Sequence, residues 1–379
     1  MTTLNILEYL KVYNNFQSLE TELGITIKKY DNYFLLNYSQ IDSPKFHDIV
    51  KECRGIIIDN DLNVLCKSFD RFFNYNEDPN TEQFPITNAI VWEKIDGSLV
   101  RIWWNKYLNK WTISTRGMAH AEGNVSNNTY TFEEIILQTL NNSYDIFDNL
   151  SKDNTYIFEL VSPETRVVKP YGDKRLYLIG CINNITFEEY DYEYLYNLSL
   201  KINISLPQTY KLDNINDIVN SFKDMPTFDE GYVCAVYNYP SKGKCWRLKI
   251  KNPSYLAIAH LRNNGCVSKK RICILVLSND EEEYLNYFPE DQNIFQPYID
   301  GRNKLFSEIS EVWNSINHII DQKEFALMAT KHHFSSILFL MRKGKTIDEI
   351  IEKSTDNFKL KLIEPYINSI QTLERVLME

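Results

Sequence analysis

Residues 90–104 read Ile90-Val91-Trp92-Glu93-Lys94-Ile95-Asp96-Gly97-Ser98-Leu99-Val100-Arg101-Ile102-Trp103-Trp104. Two runs rich in β-branched and aromatic residues, 90–94 and 99–104, flank a turn carrying Asp96 and Gly97, so the segment predicts strand, turn, strand. Lys94 sits where the first run ends. A lysine is ordinarily a solvated cation and a poor nucleophile. To attack a phosphoryl group its amine must first lose a proton, which desolvation or neighbouring positive charge promotes. A lysine fixed at a strand end, beside other cations and a metal, meets that need. In isolation, residues 94–98 describe a plain strand–turn boundary equally well.

Further stretches follow in order. Ser114-Thr115-Arg116-Gly117 places a cation before a glycine turn. Tyr156-Ile157-Phe158-Glu159-Leu160-Val161 is an apolar run holding one carboxylate, which is costly to bury unless paired or near a metal. Asp229-Glu230-Gly231-Tyr232-Val233 puts a carboxylate at the start of a strand. In residues 246–251 the period of two sets Arg247, Lys249 and Lys251 on one face and Trp246, Leu248 and Ile250 on the other. A solvent-facing edge strand would carry the same pattern.

Between about residues 30 and 255, short β-rich runs alternate with Gly, Pro, Asn and Asp, and helices are predicted near 131–140 and 215–223. This mixture predicts an α+β fold built on antiparallel sheets. After about residue 260 the texture is helical. Leu305, Ile309, Val312, Ile316 and Ile319 line one helix face, Thr346 and Glu349 form a capping box, and Ile363, Ile367, Ile370, Leu373 and Leu377 draw a second stripe. The 379 residues suffice for two cores, and the expected division is 1–260 and an all-helical 261–379.

Composition narrows the classes. A net charge of −10 and a pI near 5.3 exclude a protein that coats nucleic acid non-specifically, but leave room for an enzyme with a local positive groove. The 25 Tyr and 20 Phe serve either a core or base stacking. Seven cysteines without a Cys-x-x-Cys pair point to reduced thiols in a cytoplasmic setting rather than a zinc or disulfide framework. No secretory leader or membrane-spanning run is expected. Gly344-Lys345-Thr346 is not a P-loop, because Phe339 stands where the earlier glycine is required. His332-His333 has no metal-ligand partners at useful spacing.

Taken together, the ordered stretches resemble the covalent nucleotidyltransferase superfamily of ligases and capping enzymes, with its Lys-x-Asp-Gly, basic-Gly, acidic-strand, Glu-Gly and Lys-x-Lys motifs. The closer resemblance is to the phage RNA ligase 1 family. It rests on Glu52-Cys53-Arg54-Gly55-Ile56, Arg71-Phe72-Phe73-Asn74, Lys94-Ile95-Asp96-Gly97-Ser98, Glu159-Leu160-Val161-Ser162-Pro163 with Arg166-Val167-Val168, Glu230-Gly231-Tyr232-Val233, and Lys249-Ile250-Lys251 with Tyr255. The resemblance implies an ATP-dependent RNA ligase in which Lys94 attacks the α-phosphate, releases pyrophosphate and holds AMP. The AMP then passes to an RNA 5′-phosphate, and a 3′-hydroxyl displaces it. In that frame Lys249 and Lys251 neutralise the triphosphate and depress the Lys94 pKa. Arg54 and Arg71 contact ribose and phosphates, Phe73 stacks on adenine, and Tyr38, Asp96, Gly97 and Arg116 complete the nucleotide-binding set. Glu159 and Glu230 bind a ribose hydroxyl or hold Mg²⁺ or Mn²⁺, with Asp280 a further metal candidate or simply an acidic helix start. The family pattern carries Lys at the positions of Arg71 and Arg116, which exchanges a point donor for a planar fork.

The resemblance also implies that the helical domain selects the RNA, single-stranded or a broken tRNA. Lys242, Lys244, Lys269, Lys270 and Arg271 are candidate phosphate contacts or ordinary solvated surface. The expected protein is a monomer without a membrane or an obligate protein partner. Two rivals stand beside this reading. A DNA ligase or mRNA capping enzyme would append an OB-fold after the Lys-x-Lys strand, where this tail reads as helical. A catalytically dead RNA-binding descendant would have no reason to keep Lys94, Glu159, Glu230, Lys249 and Lys251.

Overall fold

The computed structural model describes residues 3–125, 130–140, 145–148, 150–239, 244–261 and 267–378. The chain divides into two compact units, Met1–Ala257 and Ile258–Glu379.

The first unit holds three sheets. β1 (Ile25–Lys29), β2 (Tyr33–Tyr38), β3 (Arg54–Asp59) and β4 (Val64–Cys66) form one sheet in that order. The remaining strands are β5 (Phe73–Asn74), β6 (Ile90–Glu93), β7 (Ser98–Asn105), β8 (Lys110–Thr115), β9 (Asn154–Val161), β10 (Arg175–Asn183), β11 (Thr209–Tyr210), β12 (Gly231–Tyr239) and β13 (Lys244–Lys251). The second sheet runs β10-β9-β7-β8 and the third β11-β6-β12-β13-β5. Every pairing is antiparallel except β13 with β5.

The period of two decides which side chains share a core. In the first sheet Leu36, Ile56 and Ile58 pack against helices Asn5–Tyr13, Phe16–Leu23 and Asp48–Glu52, while Leu35 and Ile57 turn the other way, toward Trp103. In the second sheet Val100, Ile102, Phe158 and Leu160 face helices Phe132–Thr139 and Tyr192–Ile202. In the third, Val91, Tyr232, Cys234, Leu248 and Ile250 face helix Ile215–Ser221. Each such fully buried side chain contributes roughly 1.5–3 kcal/mol. The opposite faces of the second and third sheets, bearing Leu99 and Glu159, and Trp92, Val233, Lys249 and Lys251, border one cavity. β13 is therefore not an edge strand: it lies between β12 and β5, and its cationic face lines that cavity.

The second unit is helical, with no strand among the described residues. Helix Gln292–Ile316 buries Leu305, Ile309 and Ile316 and packs against helix Asp356–Met378, where the Tyr366 hydroxyl donates to Glu308 at 2.5 Å. The predicted stripe is one step too long, since the helix ends at Ile316 and Ile319 lies beyond it. Thr346 and Glu349 do form a capping box, opening helix Ile347–Glu352. The α+β class with a helical C-terminal region, expected from the sequence, is the architecture observed. Lys242 and the side chains of Lys244, Ile370, Leu373 and Leu377 lie outside the described residues. Among the described residues no helix is long and apolar enough to cross a membrane.

Candidate active site

β6 ends at Glu93, and the next backbone amide, that of Lys94, donates to the Gly231 carbonyl at 2.9 Å. Gly231 has φ +123°, and a Cβ there would stand 2.3 Å from the Ile250 carbonyl oxygen, so only glycine lets β12 and β13 meet at this point. The following turn is clamped by Asp96. Its carboxylate accepts from the amides of Val168 (2.8 Å) and Lys169 (2.6 Å) and from the Tyr255 hydroxyl (2.7 Å). Gly97 allows the turn to lie against β9, because a Cβ would come 2.4 Å from the Leu160 carbonyl oxygen.

Strand pairing sets the functional side chains in rungs. Gly231 pairs with Lys251, and Val233 pairs with both Trp92 and Lys249. One rung thus carries Lys94, Gly231 and Lys251, the next Trp92, Val233 and Lys249. The rungs are about 7 Å apart, two strand residues. Glu230, only 5% exposed, bridges the cationic rung: Oε2 accepts from Lys94 Nζ at 2.5 Å and Oε1 pairs with Lys251 Nζ at 2.9 Å. Lys94, Lys249, Lys251, Arg54 and Glu159 border a cavity of about 320 Å³ whose other walls include Trp92, Leu99, Ile179, Val233, Phe69 and Phe72. That is the mixture a nucleotide needs, apolar walls for a base and clustered cations for phosphates.

The charges are unevenly tuned. Burial alone would lower the Lys94 pKa, but Glu230 and then Glu159 outweigh it and the net shift is upward, so the amine is an ammonium in this arrangement. The expected depression at Lys94 is therefore corrected, because two carboxylates lie closer to the amine's balance than the strand cations do. The depressed lysine is Lys249, pulled down to about 7 by burial and then by Arg54, Lys94 and Lys251. Burial pushes Glu159 up to about 7 against the pull of Lys94. Glu230 is held below the usual range because Lys94 and Lys251 overcome its burial. Arg54 has a buried Nη1 without a hydrogen-bond partner, and burial lowers its guanidinium pKa.

Of the residues expected to bind nucleotide, Arg54, Gly97, Glu159, Lys94, Lys249 and Lys251 come together at this cavity. Others do not. The Tyr38 ring is held between the guanidinium groups of Arg71 (4.4 Å) and Arg116 (4.5 Å), and Arg116 Nε donates to Asn37 at 3.1 Å. Asp96 is buried, with both carboxylate oxygens used to hold the turn, so it positions Lys94 rather than facing the cavity. Arg71 and Phe73 line a different cavity, whereas Phe72 reaches this one beside Phe69, Trp92 and Tyr237, with its ring 4.7 Å from Lys249 Nζ. Arg247 shares the face of Lys249, but its guanidinium is bound by Glu189 in a buried ion pair. Sequence reasoning missed Phe72 because the two-residue β5 shows no alternation that would separate it from Phe73. Asp280 falls in the second unit, directly before helix Glu281–Tyr287. Among the described residues no group of three or more His, Cys, Asp or Glu is arranged to hold a metal.

The sequence family described as RNA ligase matches residues 52–255, more than half of the chain. The chain belongs to this family, the phage-type RNA ligases. It is 30% identical to "Putative bifunctional polynucleotide kinase/RNA ligase" of Autographa californica nuclear polyhedrosis virus over 94% of its own length, and spans 52% of that relative. It is 25% identical to "RNA ligase" of Rhodothermus phage RM378, covering 96% of this chain and 99% of the phage protein. Among solved structures, "Archaeal ATP-dependent RNA ligase - form 2" is 13% identical with a TM-score of 0.47, covering 88% of this chain and 77% of that one. The phage RNA ligase resemblance seen in the motifs is thus the family the whole sequence supports.

Proposed function

We propose that this chain is an ATP-dependent RNA ligase that forms a covalent lysyl-AMP on Lys94 and then joins RNA 3′-hydroxyl and 5′-phosphate ends, in repair of broken RNA including tRNA. The observation that carries the reading is the pair of amines, Lys94 and Lys251, held on the one buried carboxylate of Glu230 beside a cavity of nucleotide size.

The base lies against Trp92, Val233 and Phe72, and the triphosphate against Lys249, Lys251 and Arg54. Lys94 first gives one proton to Glu230, which already accepts its hydrogen bond; the neutral amine then attacks the α-phosphorus, a P–N bond forms, the bond to pyrophosphate breaks, and the second amine proton leaves with the pyrophosphate. A triphosphate that draws Lys251 away removes one of the cations holding the Glu230 pKa down, so the carboxylate becomes a better proton acceptor as substrate arrives. Such transfers depend on in-line placement and neutralised oxygen charge more than on strong acids or bases. Glu159 suits Mg²⁺ or Mn²⁺, ions that take one or two carboxylates and borrow phosphate oxygens, whereas both oxygens of Glu230 are engaged by lysines. A bound ion would supply further neutralisation of phosphate charge.

Incubation with α-labelled ATP and Mg²⁺ tests this. Label should stay on the protein through denaturation and be absent from Lys94→Ala. An unlabelled wild type across pH and metals would leave a nucleotide- or RNA-binding protein instead. Sealing of single-stranded RNA, nicked duplex and broken tRNA, compared side by side, reads the substrate.

A further inference from the structure

A second cavity, of about 370 Å³, lies on the other side of Phe69, Phe72 and Arg247, which border both cavities. Its size is that of a small-ligand site, and it holds Arg71 and Phe73, expected from the sequence to bind nucleotide but lying off the cavity of Lys94. Its polar groups are unevenly satisfied. The carboxylates on its wall already have partners: Asp48 is paired with Lys51 at 3.0 Å, Asp70 with Lys67 at 2.5 Å, and Glu189 with Arg247. Two donors are left over. Ser68, only 3% exposed, has a buried hydroxyl without a hydrogen-bond partner, and so does Nη1 of Arg71, whose guanidinium otherwise stacks on Tyr38 and Phe73. Buried donors without partners are rare in folded proteins and suit an anionic oxygen.

One wall residue stands in an unusual backbone state. Phe187 has φ +60°, a left-handed conformation that a bulky side chain adopts at a cost of order 1–3 kcal/mol. The strain places an aromatic side chain on a cavity that also carries unpaired donors. A phosphate beside Arg71 and Ser68, with a base stacked on Phe187, describes one nucleotide of a strand.

We propose that this second cavity binds one nucleotide of the single-stranded RNA being sealed, next to the ATP cavity and separated from it by the shared aromatic wall. The proposal rests on the RNA ligase reading but is tested apart from it. Phe187→Asn is the decisive variant, because asparagine tolerates φ +60° well. Anisotropy of a 5′-fluorescein single-stranded RNA on the full chain should show binding about tenfold weaker, equivalent to ~1.4 kcal/mol. Phe187 also packs against the core of the first sheet, so the melting temperature should fall modestly, while labelling by α-labelled ATP should be unchanged. A structural role alone would lower the melting temperature and leave RNA affinity untouched. Wild-type RNA affinity in Phe187→Asn overturns the proposal, as does reduced ATP labelling with unaltered RNA binding, which would assign the cavity to ATP. Should Phe187→Asn fail to fold, Ser68→Ala, which removes a hydroxyl that has no partner to lose, carries the same test, with weaker RNA binding expected and unchanged binding again overturning it. Failure of the wild type to label with ATP while it binds RNA in this cavity would count against the ligase reading alone.

Discussion

If Lys249 and Glu159 both face the phosphates, ATP affinity must fall steeply as pH rises through neutrality. Lys249 carries a pKa of about 7, and so does Glu159. As pH climbs, Lys249 loses a positive charge and Glu159 gains a negative one, and both changes repel a triphosphate. Binding raises the Lys249 pKa, so the complex takes up a proton. If only protonated Lys249 binds, the competent fraction drops from about one half at pH 7 to about one hundredth at pH 9, an affinity loss of roughly 50-fold from this one group. Glu159 adds to the slope without metal and should add less with Mg²⁺, which draws the carboxylate into its charged form. The assay is calorimetry of α,β-methylene-ATP, which leaves Lys94 in place, across pH 6 to 9 with and without Mg²⁺. Lys249→Met should lower affinity at pH 6 and flatten the profile, and Glu159→Gln should remove the metal dependence of the slope. A flat wild-type profile, or the same slope in Lys249→Met, would refute the placement of that lysine against phosphate.

Lys251→Ala removes one of the two cations on Glu230, and a lost transition-state contact of ~3–4 kcal/mol predicts single-turnover labelling slower by roughly 10²–10³ with an unchanged far-UV spectrum. Wild-type labelling would sink that role. Gly97→Ala must move the Lys94 turn away from the Leu160 carbonyl, so labelling should fall by about 10²-fold, the usual consequence of misplacing a reacting group by an ångström. Labelling within a factor of two of wild type would show that the turn yields harmlessly. Asp96→Asn puts an amide where three donors converge and should cost about 1–3 kcal/mol, read as a lower denaturation midpoint. Stability should also follow the two tuned groups. Raised from 4.5 to about 7, Glu159 gives stability that is complete below pH 4.5 and lost as pH rises toward 7. Lowered from 10.5 to about 7, Lys249 costs stability below pH 7, and that cost is relieved from pH 7 to 10.5. Glu159→Gln and Lys249→Met should each raise the melting temperature at pH 7, and a fall in both would refute the assignment.

The parts of the site legible in the sequence are those that local periodicity encodes. Alternation in residues 246–251 placed Lys249 and Lys251 on one face, and the lysine turn at 94–97 announced itself by residue type. What could not be read there is set by pairings distant in sequence. Lys94 meets Glu230 across 136 residues, and no local pattern says whether that carboxylate charges the amine or stands apart from it. Arg247 obeys the same alternation as Lys249, yet Glu189, 58 residues away, consumes its charge. Phe72 and Phe73 are chemically equivalent in the sequence. The parallel pairing of β5 with β13 keeps Phe73 on one cavity, while Phe72, just before the strand, borders both. Tyr38, Arg71 and Arg116 looked like three separate ligand contacts, and their mutual stacking emerges only once the ends of β2 and β8 and the segment before β5 are brought together.

Glu230 organises the charges of the lysine cluster. A single buried carboxylate shared by two lysines holds both in place and keeps Lys94 charged, which is how a partly buried cationic cluster survives folding without a counter-ion from outside. The same sharing makes the cluster responsive. Lys249, on the adjacent rung and in no ion pair among the described residues, bears a desolvation cost that Glu77 offsets only in part, and sits near neutral pKa. A triphosphate would supply the negative charge that the rung lacks, favour protonated Lys249, compete for Lys251, and leave Glu230 with Lys94 alone. On the proposed reading Glu230, relieved of Lys251, takes the Lys94 proton only once the substrate is bound. The order matters chemically, because an amine neutral before ATP arrived would be open to any electrophile that reached the cavity, whereas one held as an ammonium is not.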